Sequence, residues 1–305
     1  MLYPSHYKEK YENIWVTMND GRPRVIKATK YRLRSSNFNS AAATTFHQTL
    51  TRRGIDTDLV IHSLNATYRV DKPREQAGSK TGRPDLVLQT PGLGKGDQRI
   101  DPKTVNWAKL AQYAFAGKGS PEAAQVVLQL AVAWGLTSDP QQYANDGLGV
   151  DYNGFVGNYI WHVLRKNEWW KLGVANNELG PDTPIRNGFY DRYKSKLIKR
   201  WEDLDNNKMY IMMRTDAAGE VINQGSGDNI AHITITEPGG RIDRPTATSN
   251  PFKVTVVEST ASSPSPGITK SPYNCTGKLT ATAFKINREV MLQHKDIYFA
   301  IAAVT

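Results

Sequence analysis

The sequence is poor in the residues that build covalent or metal-bound frameworks. It has 305 residues and a single cysteine, Cys275. An internal disulfide is therefore impossible, and zinc or iron–sulfur sites made of several cysteines are excluded. The six histidines include no pair at the spacing of metal ligands, and we expect neither a metal nor a cofactor. The chain must be held together by an apolar core.

Long apolar runs are also missing. The longest candidate, residues 123–136, is interrupted by Gln125, Gln129 and Gly135. It is shorter than the ~18–20 residues needed to cross a bilayer, so we expect a buried helix and no membrane span. The first ten residues contain no apolar signal-peptide core. We therefore expect cytoplasmic synthesis without a classical signal, with any delivery to a periplasm or target cell through a secretion system or a phage.

Basic residues are present in excess and are unevenly distributed. The chain has 39 Lys and Arg against 29 Asp and Glu, a net charge of +10. Residues 1–100 hold 17 basic and 9 acidic side chains, whereas residues 101–305 hold 22 and 20. A basic face of this kind can bind an acidic protein or an anionic polymer. A solvated surface is the alternative, because basic residues alternate between Arg22 and Arg34 as on the outer face of a strand.

The first hundred residues have the pattern of a β-rich domain. Strands are predicted over 12–18 and 24–33, around the turn signal Asn19-Asp20-Gly21, and again over 58–70. Residues 71–101, rich in Lys, Arg, Gly, Pro and Gln, predict a long connection. We expect a basic, β-rich targeting or docking domain over residues 1–100.

Residues 101–305 combine helices with a later run of strands. Asp-Pro and Ser-Pro caps predict helices over 101–115 and from 121 to about 134, and a third helix is predicted over 153–164. Strands are predicted at 209–213, 230–236, 253–259, 279–286 and 297–304. This order predicts an α+β domain in which helices pack on one face of an antiparallel sheet.

Three segments of this second domain carry groups suited to nucleophilic catalysis. A loop ends at Asp151 and a helix begins at position 152, where the positive end of the helix dipole stabilises an anion. His232 opens an alternating strand and could act as a base. Glu258 lies near the end of the next predicted strand and could orient the imidazole.

These segments resemble the papain-like cell-wall cysteine peptidases and amidases of the NlpC type and their YiiX-like relatives. The matching residues are Asp151, Asn153, Gly154, Phe155 and Val156, then His232-Ile233-Thr234-Ile235, then Glu258. The resemblance covers about residues 101–270 and implies a papain-like domain over 101–305. It also implies a cysteine that attacks peptide bonds of peptidoglycan, with His232 as base and Glu258 as orienter. Tyr143 stands where the family often keeps a tyrosine near the oxyanion region.

The nucleophile position of this pattern is occupied by Tyr152. A phenol with a pKa of about 10 is ionised to roughly one part in a thousand at pH 7, and a cysteine with a pKa of about 8.5 to a few percent. Tyrosine is therefore a poor substitute, and its ring should fill the groove meant for a peptide. The resulting expectation is a hydrolase scaffold that is inactive or strongly impaired.

Two other classes of function stay open. The chain can be a non-catalytic module, a pseudoenzyme that still binds a glycan or a peptide in the groove. It can also be a structural or interaction component of a phage or secretion apparatus, in which residues 1–100 form the functional part. Ligand affinity that survives loss of His232 would favour the first, and salt-sensitive binding by residues 1–100 the second.

Overall fold

The fold is taken from a computed structural model. The structure describes these residue ranges: 2–33, 40–52, 86–88, 98–100, 105–167, 179–223, 230–238, 252–261, 266–288 and 297–304. Within these ranges, none of the helices combines the length and apolarity needed to span a bilayer.

The N-terminal part contains helices as well as strands. Helix α1 (Pro4–Glu12) is followed by strands β1 (Ile14–Thr17) and β2 (Pro23–Ile26), and then by helix α2 (Ala41–Arg52). The predicted hairpin is confirmed: β1 and β2 are antiparallel, and Gly21 has a φ of +80° in the turn, where glycine is favoured. The predicted strand start at residue 12 is wrong, because α1 extends to Glu12.

Two short strands, β3 (Leu86–Leu88) and β4 (Gln98–Ile100), pair with each other as an antiparallel ribbon. Both lie within residues 71–101, which the sequence predicted as a long connection. The strand predicted over 58–70 lies outside the described residues.

Four helices follow in the middle of the chain. They are α3 (Trp107–Phe115), α4 (Pro121–Ala133), α5 (Pro140–Gly147) and α6 (Tyr152–Asn158), and α6 continues as a π-helical turn over Tyr159–Leu164. The Ser-Pro start of α4 is confirmed, since Ser120 Oγ accepts the Ala123 N–H at 3.1 Å. Helix α5, absent from the sequence expectation, begins with the same kind of signal: Asp139 caps it and Pro140 is its first residue. A π-helical turn (Ile185–Tyr190) and helix α7 (Asp191–Tyr193) come before two short 3₁₀ turns, Lys194–Lys196 and Trp201–Asp203.

The C-terminal third forms a closed six-stranded antiparallel barrel. Its strands are β5 (Tyr210–Thr215), β6 (Ile233–Thr236), β7 (Phe252–Thr260), β8 (Gly267–Lys278), β9 (Ala283–Arg288) and β10 (Ile297–Ala303). Neighbours along the chain pair in order, and β10 pairs with β9 on one side and with β5 on the other. This double pairing of β10 closes the barrel, so each of its six described strands has a neighbour on both sides.

The predicted fold class is wrong. We expected a papain-like domain with helices packed on an antiparallel sheet, preceded by a β-rich N-terminal domain, and the structure instead has a closed barrel accompanied by helices from both parts of the chain. Closure depends on β8, which the sequence did not predict because its Gly, Pro and Asn residues are typical of turns. Pro272 is accommodated inside β8, opposite Thr255 of β7.

Among the residues that the structure describes, three apolar clusters form the core. One joins the β1–β2 hairpin and α2 to helices α3, α4 and α5, so residues on both sides of position 100 share it. A second lies between α6 and the outer face of the barrel, with Phe155 packed near Ile211 and Ile233. The third fills the barrel with side chains such as Met212, Tyr273 and Phe284. The domain boundary near residue 100 stays a prediction.

Candidate active site

Helix α6 places Tyr152 at the site. The preceding residue, Asp151, caps the helix by accepting the Gly154 N–H at 2.6 Å, and its carboxylate also binds the Lys118 ammonium at 2.7 Å. Burial raises the pKa of Asp151, and the Lys118 charge opposes that shift. The Asp151 carboxylate is thus committed to holding the start of α6, which fixes the position of Tyr152.

The structure brings three of the predicted residues together. The His232 ring lies edge-on to the Tyr152 ring, with 5.5 Å between ring centroids. On its other side, His232 Nε2 lies 2.6 Å from Glu258 Oε2. His232 directly precedes β6 and Glu258 belongs to β7, which pairs with β6. Barrel pairing therefore positions the imidazole between a carboxylate and the first residue of α6.

Glu258 is completely buried and fully hydrogen-bonded. Besides His232, the Tyr273 hydroxyl donates to Oε2 at 2.8 Å, and Arg288 Nη2 donates to Oε1 at 2.7 Å. Burial alone would raise the pKa of Glu258, but the hydrogen bond from His232 and the charge of Arg288 outweigh it and lower the pKa to about 2. The group is a carboxylate at neutral pH and can only accept hydrogen bonds.

His232 is neutral and has a defined tautomer at neutral pH. Burial lowers its pKa, and although the Glu258 carboxylate acts in the opposite direction, the net shift is downward. Because the Glu258 carboxylate can only accept the hydrogen bond from His232 Nε2, the ring proton resides on Nε2 and the lone pair on Nδ1. A neutral imidazole with a basic Nδ1 is the state required of a general base.

Tyr152 is a poor nucleophile in this environment. Burial and the nearby Asp151 carboxylate raise the pKa of Tyr152 to about 12, so the phenol stays protonated at neutral pH. Its ring is half-buried between His232 and Tyr31, whose ring stacks on it at 6.5 Å between centroids. The phenol therefore occupies the space beside the base without supplying an anion.

A segment of the N-terminal part, Ala28–Arg32, crosses the site; we call it the crossing segment. The Lys30 carbonyl accepts the Val150 N–H at 2.9 Å, just before α6, and the Thr29 carbonyl accepts the Ile268 N–H of β8 at 3.0 Å. Tyr31 of this segment contacts Tyr152. Sequence reasoning missed this role, because alternating basic residues predicted only an outer strand face.

Tyr143, the fourth predicted site residue, lies elsewhere. Its hydroxyl donates to the Ala42 carbonyl at 3.1 Å, and its ring packs edge-on to Phe115 in the N-terminal core cluster. Tyr152 and His232 lie at the barrel side of α6. Tyr143 therefore packs its own helix, α5, against α2 and α3.

Cys275 lies inside the barrel, away from α6. Its side chain is fully buried, and burial raises the pKa of the thiol to about 12. It has the properties of a core residue and offers no thiolate. In the part of the chain that the structure describes, no group of three or more His, Cys, Asp or Glu side chains is arranged to hold a metal ion.

The sequence also missed the residues that surround Glu258. Tyr273 lies on β8 and Arg288 on β9, 15 and 30 residues after Glu258. Nothing local in the sequence marks them, since only barrel pairing places Tyr273 opposite Arg288.

Comparison with known proteins adds no relative: no protein-family model, no curated protein and no solved structure matches this chain.

Proposed function

We propose that this chain has an amide-hydrolase site for peptide bonds of peptidoglycan that retains its base and orienting carboxylate but lacks its nucleophile. The observation that carries the proposal is the buried His232–Glu258 pair, 2.6 Å between Nε2 and Oε2, beside the first residue of α6. As it stands, the protein binds a peptide in this site and does not cleave it. The resemblance to NlpC-type peptidases supplies the substrate class.

A cysteine at position 152 would complete the chemistry. Its thiol proton passes to His232 Nδ1, and the thiolate attacks the amide carbonyl to form a tetrahedral adduct. The imidazolium returns the proton to the leaving amine, and an acyl-enzyme thioester remains. Water, deprotonated by His232, then hydrolyses the thioester and releases the carboxylate product and the thiol. Glu258 keeps the imidazole oriented and stabilises its charged form.

Restoring the nucleophile tests the proposal. The Tyr152→Cys protein and the native protein are incubated with purified peptidoglycan, and released muropeptides are measured by mass spectrometry. We expect release by Tyr152→Cys only, because its thiol has a lower pKa than the phenol and is smaller than the ring. The double variant Tyr152→Cys/His232→Ala should lose most of that activity.

Tyr31→Cys is the matched control, since Tyr31 belongs to the same half-buried ring stack but does not begin α6. It should release nothing. Equal release by Tyr31→Cys and Tyr152→Cys would mean that any thiol near His232 suffices, and a folded Tyr152→Cys protein that leaves peptidoglycan intact would contradict the proposal.

A second candidate function belongs to the N-terminal part. Arg22, Arg24 and Lys27 are exposed on and beside β2, which favours binding of an anionic polymer or an acidic protein. Counterion release makes such binding fall steeply with salt. The test measures the affinity of the whole chain for an anionic polymer between about 50 and about 300 mM salt, a range over which several phosphate-like contacts lose orders of magnitude in affinity. An affinity that does not change over this range would exclude this candidate.

A further inference from the structure

Ser259 links the strand that carries Glu258 to the start of α6. Its hydroxyl donates to the Val150 carbonyl at 2.6 Å, and both residues are completely buried. Successive side chains of a strand point to opposite faces. Glu258 lies on the inner face of the barrel with Tyr273, so Ser259 lies on the outer face, toward α6. Two consecutive residues of β7 therefore serve the two halves of the candidate active site.

Three segments of the chain meet at the Val150 backbone. The Val150 carbonyl also accepts the Arg32 N–H of the crossing segment at 3.4 Å, and the Val150 N–H donates to the Lys30 carbonyl at 2.9 Å. The hydrogen bond from Ser259 is the shorter of the two that this carbonyl accepts. Helix α6 begins at Tyr152, directly after this junction, so the Ser259 hydroxyl holds the start of α6 against β7.

We propose that Ser259 is a positioning residue that sets the distance between the side chain at position 152 and the His232 imidazole. The inference rests on the proposed function, in which position 152 is the place of the nucleophile. Ser259 acts through the Val150 backbone, which connects β7 to α6. Such a role affects the chemistry strongly, because a misplacement of reacting groups by about 1 Å can lower the rate by about a hundredfold.

The removal of one oxygen atom tests the inference on the native chain. The Tyr152 and His232 rings lie edge-on with 5.5 Å between centroids, so magnetisation passes between their protons and gives cross-peaks in NMR spectra. We expect Ser259→Ala to lose most of this cross-peak intensity. Ser271→Ala is the matched control, because Ser271 is also buried in the barrel but its hydroxyl lies 3.2 Å from that of Thr269 on the same strand. It should keep the native intensity.

The same two substitutions in the Tyr152→Cys protein measure the consequence for the chemistry. A thiol beside an imidazole ionises more readily, because the thiolate is stabilised by the imidazolium that forms. Ser259→Ala should lower the thiolate fraction at neutral pH by about tenfold, the effect of a rise of about one in the pKa of the introduced thiol. Ultraviolet absorbance measures the thiolate. Cys275 does not contribute, because burial raises the pKa of its thiol to about 12.

The outcomes separate this inference from the proposed function, because neither measurement needs a substrate. Unchanged cross-peaks or an unchanged thiolate fraction in Ser259→Ala overturns the role of Ser259, and so do equal losses in Ser271→Ala. A Ser259→Ala protein that does not fold overturns it as well, since a positioning residue leaves the barrel intact. If Ser259→Ala behaves as expected and the Tyr152→Cys protein leaves peptidoglycan uncleaved, the proposed function fails and the positioning role stands.

Discussion

Glu258 accepts hydrogen bonds from three side chains on three other segments of the barrel, namely His232, Tyr273 and Arg288. Removing the Glu258 carboxylate breaks its buried ion pair with Arg288. Breaking a buried ion pair in this way typically costs ~3–5 kcal/mol. The same group that orients His232 therefore also stabilises the barrel.

From this double role we predict how the stability of Glu258→Gln depends on pH. Glu258 has a folded-state pKa of about 2, below its ordinary value of 4.5. The contribution of the Glu258 carboxylate to the free energy of unfolding is therefore complete above about pH 4.5, and it is lost as the pH falls through the folded-state pKa. Glu258→Gln should be less stable than the native protein at pH 7, and the difference should shrink as the pH approaches 2. Urea unfolding at a series of pH values measures it.

Glu220→Gln is the control for this series. Glu220 pairs with Arg186 at the surface, where both side chains are more than half exposed, and exposed pairs contribute little. Its unfolding free energy should match that of the native protein at every pH. A Glu258→Gln protein with an undiminished deficit at the lowest pH would show that Glu258 does not titrate as a buried, paired carboxylate.

At the scale of elements, the crossing segment connects the N-terminal part to the site. The backbone of the crossing segment approaches glycines that have no room for a side chain. A Cβ at Gly117 would lie 2.3 Å from the Arg32 carbonyl oxygen. The contact places the crossing segment against the start of α6, since the Gly117 carbonyl also accepts the Asp151 N–H at 2.9 Å.

Two glycines allow this packing to be tested. Gly117 and Gly135 have nearly the same positive φ, +74° and +70°, but a Cβ at Gly135 meets nothing within 4 Å. Gly135→Ala should cost about 1–2 kcal/mol from backbone strain alone. Gly117→Ala should cost about 1–3 kcal/mol more, the usual price of overpacking. Denaturant unfolding measures both losses.

The crossing segment also predicts a local effect of the Gly117 substitution. Because Tyr31 stacks on Tyr152, displacement of the segment should alter the NMR signals of the His232 ring in Gly117→Ala and leave them unchanged in Gly135→Ala. Equal losses of stability in the two variants, with identical His232 signals, would show that the close approach at Gly117 is unimportant.

At the scale of the whole molecule, the N-terminal residues and the middle helices share one core. Ile14 and Val16 of β1, together with Phe46 of α2, lie in the same apolar cluster as Trp107 and Phe115 of α3. Removing residues 1–100 would expose the apolar side of α3 and α4 to water. Burial of a large apolar side chain contributes about 1.5–3 kcal/mol, so the loss of several partners is comparable to the whole stability of a typical domain, about 5–15 kcal/mol.

We therefore expect residues 101–305 alone to lack a cooperative transition. Thermal unfolding followed by circular dichroism should be sharp for the full chain and broad or absent for residues 101–305, which should also bind an apolar dye. A sharp transition in residues 101–305 would show that the shared core is dispensable and that the boundary near residue 100 separates independent domains.

Local signals in the sequence were sufficient for several elements. The turn at Asn19-Asp20-Gly21 and the cap at Ser120 depend on interactions within a few residues, and both are confirmed. Helix α5 had an equally local signal in Asp139-Pro140 that was overlooked. Strand β8 had none, because Gly267, Pro272 and Gly277 are typical of turns, and only the neighbouring strands on both sides hold them extended.

The sequence by itself determined the absence of a disulfide framework, the three segments of the candidate site and the weakness of Tyr152 as a nucleophile, since these follow from residue chemistry and local caps. Only the tertiary structure decided that the sheet closes, that Arg288 and Tyr273 surround Glu258, and that the crossing segment covers Tyr152. These features depend on contacts between residues far apart in the chain, such as Tyr31 with Tyr152. Such contacts form because strand pairing and core burial bring them together, and neither is encoded in any short stretch of sequence.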